Sequence, residues 1–181
     1  YMGQAFRSGR WLTRDGKRVE WEWNEEQGRA GLARAIEFHK RHDGAHGDLV
    51  RCFVSPSQID TCSADLFRDS YAVAQQLKVP FQTHAAQSIV EFHEMTRRHG
   101  MTPIEWLDSL GVLGPTSIIG HGIFLDHHSA TSWPKRDENR MLRHSTIFRA
   151  CRPALRILQL APSPEHRFFT GVGNAPAALA M

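Results

Sequence analysis

Cysteine is scarce. There are three in 181 residues, Cys52, Cys62 and Cys151, odd in number, widely spaced and without a CxxC pair. That excludes a disulfide framework and points to a reducing, cytoplasmic setting. No apolar run approaches the roughly 20 residues of a membrane span, and no secretory leader pattern opens the chain. Charge of one sign is not concentrated either. The formal net charge of +3 comes from 22 basic and 19 acidic residues interspersed along the chain, so neither a nucleic-acid stripe nor a membrane partner is expected. No strand-like run is followed by a GxGxxG fingerprint, which sets aside a dinucleotide-binding oxidoreductase. His93 and His99 lie six apart, whereas a zincin helix needs two histidines four apart on one face. An initiator methionine is missing too. The chain opens at Tyr1, and the expectation is a piece of something longer.

What is present is organised around two short apolar runs, each ending in a histidine: Val79-Pro80-Phe81-Gln82-Thr83-His84 and Ser117-Ile118-Ile119-Gly120-His121. Each has the length and low polarity of a strand covered on both faces. Each is followed by helix-like sequence, which implies parallel strands with right-handed crossovers. Their C-terminal ends then share one rim, where open α/β sheets and α/β barrels carry their chemistry.

The remainder fits that frame. Residues 10–23 alternate apolar and polar around Asp15-Gly16, a hairpin signal that predicts a decoration outside the parallel core. Gly31 to His42 has Leu32, Ala35, Ile36 and His39 at helical spacing. Leu49 to Ser55 reads as a strand closed by Pro56. Ser63 caps a predicted helix to Leu77, and Ser88 with Glu91 has the form of a capping box opening a helix to His99. Thr102-Pro103-Ile104-Glu105 repeats that device, Gly111 ends the short helix it opens, and a weaker helical stretch is expected over 129–143. Three strand-helix units are clear, with strands beginning about 30 to 40 residues apart. A closed eight-stranded barrel takes about 250 residues, so a barrel here is an incomplete one. From Arg143 the rhythm gives way to Ala, Pro, Arg and Leu, the texture of a poorly ordered tail.

On position alone, each rim histidine has two readings. His84 is a metal ligand or a hydrogen-bonded structural histidine. His121 is flanked by Gly120 and Gly122, which let a substrate approach closely. Gln82, Thr83 and Gln87 are polar near the rim and stand as pocket-lining candidates or as solvated positions. Asp126, His127 and His128 follow the second strand, with capping or solvation as the plainer role for Asp126. Glu91 is accounted for by the capping box.

A longer series of motifs carries a resemblance. Gln82-Thr83-His84-Ala85-Ala86-Gln87-Ser88 through Glu91-Phe92, His99 through Leu107, Leu113-Gly114-Pro115 and Ile118 through Gly122 resemble the metal-dependent amidohydrolases, in the branch of cytosine deaminases and triazine chlorohydrolases. The likeness runs from about Gly9 to about Trp133. It implies a distorted βα barrel in which His84 matches the metal-binding histidine after the fifth strand. His121 then matches the histidine after the sixth strand, which polarises the substrate or steadies the attacking water. The sequence departs from the family at three places. The His-x-His pair of the first strand is absent, and the tail has Gly171-Val172-Gly173-Asn174 where a Gly-Thr-Asp-like segment would supply an aspartate. Gln87 occupies the position of a proton-shuttling glutamate, and glutamine cannot carry a proton.

The expectation is therefore an α/β fold, a partial (βα)8 TIM-type barrel of three to four parallel βα units. An N-terminal hairpin decorates it, residues 1–143 form the barrel domain, and 144–181 form an atypical tail that is disordered or frame-altered. The function implied is that of a fragment of a metal-dependent hydrolase. It would attack a C–N or C–halogen bond of a small, heterocyclic substrate, with His84 as metal ligand and His121 and Gln87 at the catalytic positions. Zinc or ferrous iron is the expected cofactor, not fully ligated by this chain alone, since a catalytic zinc takes three or more protein ligands. A small-molecule substrate and self-association of the parent are the expected partners. The alternative is a non-catalytic α/β module, or an inactive fragment, that binds a ligand or partner.

Overall fold

The computed structural model describes residues 1–124. Asp126, His127, His128, the expected helix over 129–143, Cys151 and the expected tail lie outside them. In chain order the elements are β1 (Ala5–Phe6), β2 (Gly9–Leu12), β3 (Glu20–Trp23), α1 (Glu25–His42), a one-turn α2 (Ala45–Asp48), β4 (Ser55–Pro56) and a 3-10 turn (Ile59–Thr61). There follow α3 (Ala64–Leu77), β5 (Phe81–Ala85), α4 (Ile89–His99), α5 (Pro103–Ser109) and β6 (Ser117–His121).

Four of the strands run parallel. β1 pairs with β4 through Ala5↔Ser55 and Phe6↔Pro56, and β5 pairs with β6 from Phe81↔Ser117 to Ala85↔His121. Between them, isolated parallel bridges join Val54 to Phe81 and Gln58 to His84. The expected strand over 49–55 is thus displaced: it extends through Pro56 instead of ending before it. Val54 donates its N–H to the Pro80 carbonyl, and alternation turns position 56 to the same side. Proline has no N–H to give there, so the β4–β5 contact survives only as two bridges on either side of it.

β1 is absent from the sequence reading because two residues make no periodic signal. It is held by packing with α1, whose Gly31 sits so close that a Cβ there would lie 2.5 Å from Phe6 Cβ. The helix begins at Glu25, six residues before the expected start, with Asn24 Oδ1 accepting from Gln27 N at 2.9 Å. Gly28 and Gly31 weaken the helical signal in that first stretch, and tertiary contact overrides it. Alanine at Gly31 gains up to about 1 kcal/mol of helix propensity. It forces α1 off Phe6 at a cost of about 1–3 kcal/mol. The Gly31→Ala chain is therefore expected to unfold at lower urea concentration than the parent, and a rise in the midpoint would contradict this packing.

Other expectations hold. Ser63 caps α3, and Thr102 with Glu105 forms a full capping box on α5. The core lies between α3, α4, α5 and the strands: Phe67 packs edge-on against Phe81 and Trp106, with Met95, Ile104 and Leu107 fully buried around them. Cys52 and Cys62 are buried free thiols. The hairpin forms around Asp15, whose carboxylate accepts from Lys17 N and Arg18 N. It lies outside the sheet as expected, but in the connection that leaves the C-terminal end of β1, which puts it at the rim. There Trp21 and Trp23 cover Arg98 of α4, at 4.7 and 5.0 Å from the guanidinium. Among the described residues, no helix is long and apolar enough to cross a membrane.

Candidate functional site

β5 alternates in burial, with Phe81, Thr83 and Ala85 buried and Gln82 and His84 partly exposed. Gln82 and His84 therefore share one face, and Gln82 Oε1 accepts from Ser55 Oγ of β4 at 2.6 Å. Thr83 points the other way, fully buried, so it does not line a pocket with them. Period-two geometry makes that separation unavoidable.

The same rule would send His121 away from His84. The register sets His84 opposite Gly120 and Ala85 opposite His121, which assigns residue 121 to the face of Ala85. His121 escapes by a left-handed backbone, φ 77°, at the last residue of β6. That conformation is costly for a side chain with a Cβ and collects at functional positions. The two imidazoles come together with ring centroids 5.0 Å apart and planes inclined by 39°. Gly120 makes room for them, because a Cβ there would stand 2.7 Å from His84 Nδ1. That Nδ1 is buried and has no hydrogen-bond partner. Burial, and then the charge of His121, hold His84 below the ordinary histidine pKa, which keeps it a neutral donor.

Behind the pair the rim is braced by Glu91. The capping-box reading is half right: Ser88 Oγ accepts from Glu91 N, but the Glu91 carboxylate turns away from Ser88. It accepts from Ala86 N at 2.6 Å and from Gln87 N at 3.4 Å. Ala86 has φ 55°, and its carbonyl accepts from Ile123 N and Phe124 N beyond β6. One carboxylate thus fixes the turn after β5, and that turn fixes the segment after β6. Glu91 is 2% exposed. Burial pushes its pKa up to about 7 against the pull of those backbone donors, with Asp60 adding to the rise. No sequence signal separates this anchor from a capping glutamate, since both are Ser-x-x-Glu.

Asp60, also missed, lies just past Gln58, the residue bridged to His84. It is buried, its Oδ2 accepts from Trp21 Nε1 at 3.3 Å, and its Oδ1 has no partner. Burial raises its pKa as well. Gln87 is partly exposed and follows the turn that Glu91 holds. An open cleft of 460 Å³ beside the hairpin, with Arg7, Arg10, Trp23 and Gln27 among its walls, contains none of these residues.

A catalytic zinc site requires three protein ligands with an open position. At the rim the described residues offer His84, with His121 beside it, and no group of three ligating side chains. The buried, unpaired Nδ1 fits one donor to a metal, not a whole shell.

No family model matches the chain. A 5'-deoxyadenosine deaminase of Methanothermobacter thermautotrophicus is 32% identical over 108 residues, 60% of this chain and 25% of that protein. A 5-methylthioadenosine/S-adenosylhomocysteine deaminase of Carboxydothermus hydrogenoformans is 28% identical over 101 residues, 56% of this chain and 23% of that protein. The chain thus spans about a quarter of the length of these curated relatives. Among solved structures, guanine deaminase from C. acetobutylicum with bound guanine aligns with a TM-score of 0.63 at 17% identity, covering 88% of this chain and 37% of that one. Adenosine deaminase from Xanthomonas campestris with bound zinc gives 0.58 at 19%, covering 87% and 34%. A variant of atrazine chlorohydrolase from Arthrobacter aurescens, complexed with zinc and atraton, gives 0.56 at 15%, covering 86% and 32%.

The structural likenesses show the fold that these neighbours share, and the relatives and neighbours together are enzymes of the kind that the motif series resembles. The curated relatives narrow the likeness to deaminases of adenosine derivatives.

Proposed function

We propose that this chain carries the fifth- and sixth-strand portion of a metal-dependent hydrolase acting on a C–N bond, by deamination or amide-type cleavage, or on a C–halogen bond of a small heterocycle. In this reading β1, β4, β5 and β6 with their helices are part of a (βα)8 barrel within residues 1–143, and 144–181 stand apart as a tail. His84 is one metal-binding donor, His121 polarises the substrate or steadies the attacking water, and Gln87 sits where a proton carrier would. The metal, zinc in preference to iron because the structural neighbours hold zinc, supplies an activated water when bound. The setting is cytoplasmic, and the parent protein self-associates. The observation that carries the reading is the imidazole pair, 5.0 Å apart and brought together only by the left-handed backbone at His121. The names of the curated relatives favour an aminated purine over a halogenated ring.

A second reading, a non-catalytic α/β binding module, is favoured by the single rim donor and by the glutamine at 87. Transplanting residues 79–124 into a deaminase relative separates the two. A chimera that folds, holds zinc and releases ammonia from its nucleoside supports the hydrolase. A folded, zinc-loaded chimera that stays inactive even with Gln87→Glu supports the module. For the isolated 181-residue chain we expect no stoichiometric zinc at the rim. Tight uptake abolished by His84→Ala would overturn the idea that further ligands are required.

A further inference from the structure

At the opposite end of the sheet from the rim, the last turn of α1 meets the approach to β4. His39 and Asp43 stand four residues apart on that turn, and Cys52 lies across from them. One ligating atom from each falls within 4.8 Å of the other two. We propose that His39, Asp43 and Cys52 form a second metal site, independent of the rim histidines, for a thiophilic divalent ion of zinc's class.

Three observations support it. His39 Nδ1 is buried and has no hydrogen-bond partner, an arrangement that leaves a strong donor unsatisfied. Asp43 is held in place, its Oδ1 accepting from Cys52 N at 2.7 Å and its own N–H bonded to the His39 carbonyl at 2.9 Å. The backbone therefore fixes the carboxylate relative to both other donors. Cys52 is 1% exposed, so its sulfur faces the cluster within the protein. Nitrogen, oxygen and sulfur donors together suit zinc or cobalt over calcium or magnesium, and three protein ligands leave a fourth tetrahedral position for water. Arg51 opposes cation binding, but its contact with Asp43 Oδ2 is long, 3.4 Å, and it also reaches Asp48 at 3.2 Å. A cysteine thiol is protonated at neutral pH in the absence of metal. Binding therefore exchanges the thiol proton for the metal ion, forms one metal–sulfur bond and releases one proton to solvent.

The test is a cobalt(II) titration of the reduced full-length chain, read by thiolate-to-cobalt absorption in the near ultraviolet. One equivalent with that band is expected in the parent, in His84→Ala and in Cys151→Ser. Cys52→Ser abolishes the band, and His39→Gln, which keeps a polar side chain of similar reach at this partly buried position of α1, weakens cobalt binding by about tenfold or more. A parent chain without the band would overturn the proposal. So would a band that survives both His39→Gln and Cys52→Ser, or one that follows Cys151. Because His84→Ala is expected to leave the signal intact, failure here is distinguishable from failure of the rim assignment.

Discussion

Glutamate at position 87, in the chimera that carries residues 79–124 inside a deaminase relative, is expected to speed ammonia release by about 10²–10⁴-fold over the glutamine form. The factor is that of a positioned proton carrier. Gln87 lies three residues past His84, on the turn that the Glu91 carboxylate fixes through Ala86 N and Gln87 N. A carboxylate there inherits a defined position without any change in the backbone. Glutamine matches glutamate in size and accepts a hydrogen bond, but it cannot take a proton from water and return it to a leaving amine. The comparison should therefore appear in kcat, with KM nearly unchanged. Equal rates for the two forms, in a chimera whose activity still needs His84, would show that position 87 moves no proton.

The second large effect belongs to Glu91. Its pKa is about 7 in the folded chain against 4.5 for a free glutamate. Between these values the folded state holds the proton more tightly than the unfolded state, so the contribution of Glu91 to stability is greatest below about 4.5 and is lost as pH rises through 7. The difference corresponds to up to about 3 kcal/mol. His84, whose pKa is lowered, acts in the opposite direction: its contribution is present above the free-histidine value and is lost as pH falls through the folded one. Substituting Glu91 isolates the carboxyl. Glu91→Gln copies the protonated acid, with one acceptor and one donor, so it should match the parent near pH 5 and exceed it in urea resistance near pH 8. Parallel stability profiles for the two proteins across that range would refute the assignment. The titration also changes the rim, because an ionised carboxylate accepts both backbone N–H groups whereas the protonated acid offers one good acceptor.

The zinc question at the rim and the cobalt question at the far end of the sheet are separable. One depends on His84, the other on Cys52 and His39. A chain that takes up one thiophilic ion without His84, and none tightly with it alone, is what both assignments together predict.

Much of this was legible in residue order. Short apolar runs bounded by turn residues mark β5 and β6, and their alternation with capped helices marks them as parallel, since a crossover of that length returns a strand in the same direction. Ser63, Ser88 and Thr102 announced their helices because capping is a local interaction of neighbours in sequence. Sequence could also place two imidazoles at strand ends and could identify the motif series of the amidohydrolases. What it could not carry were contacts between distant segments. β1 exists because Phe6 fits against Gly31, and α1 starts early for the same reason. Glu91 was indistinguishable from a cap until its carboxylate was seen on Ala86 and Gln87. The meeting of His84 and His121 contradicts simple alternation and depends on one left-handed residue, a conformation stabilised by the surrounding ladder and glycines and invisible to local propensity. Strand identity and helix caps follow from interactions a few residues long. Which side chains share the mouth of the sheet was decided only when register, backbone strain and packing acted together.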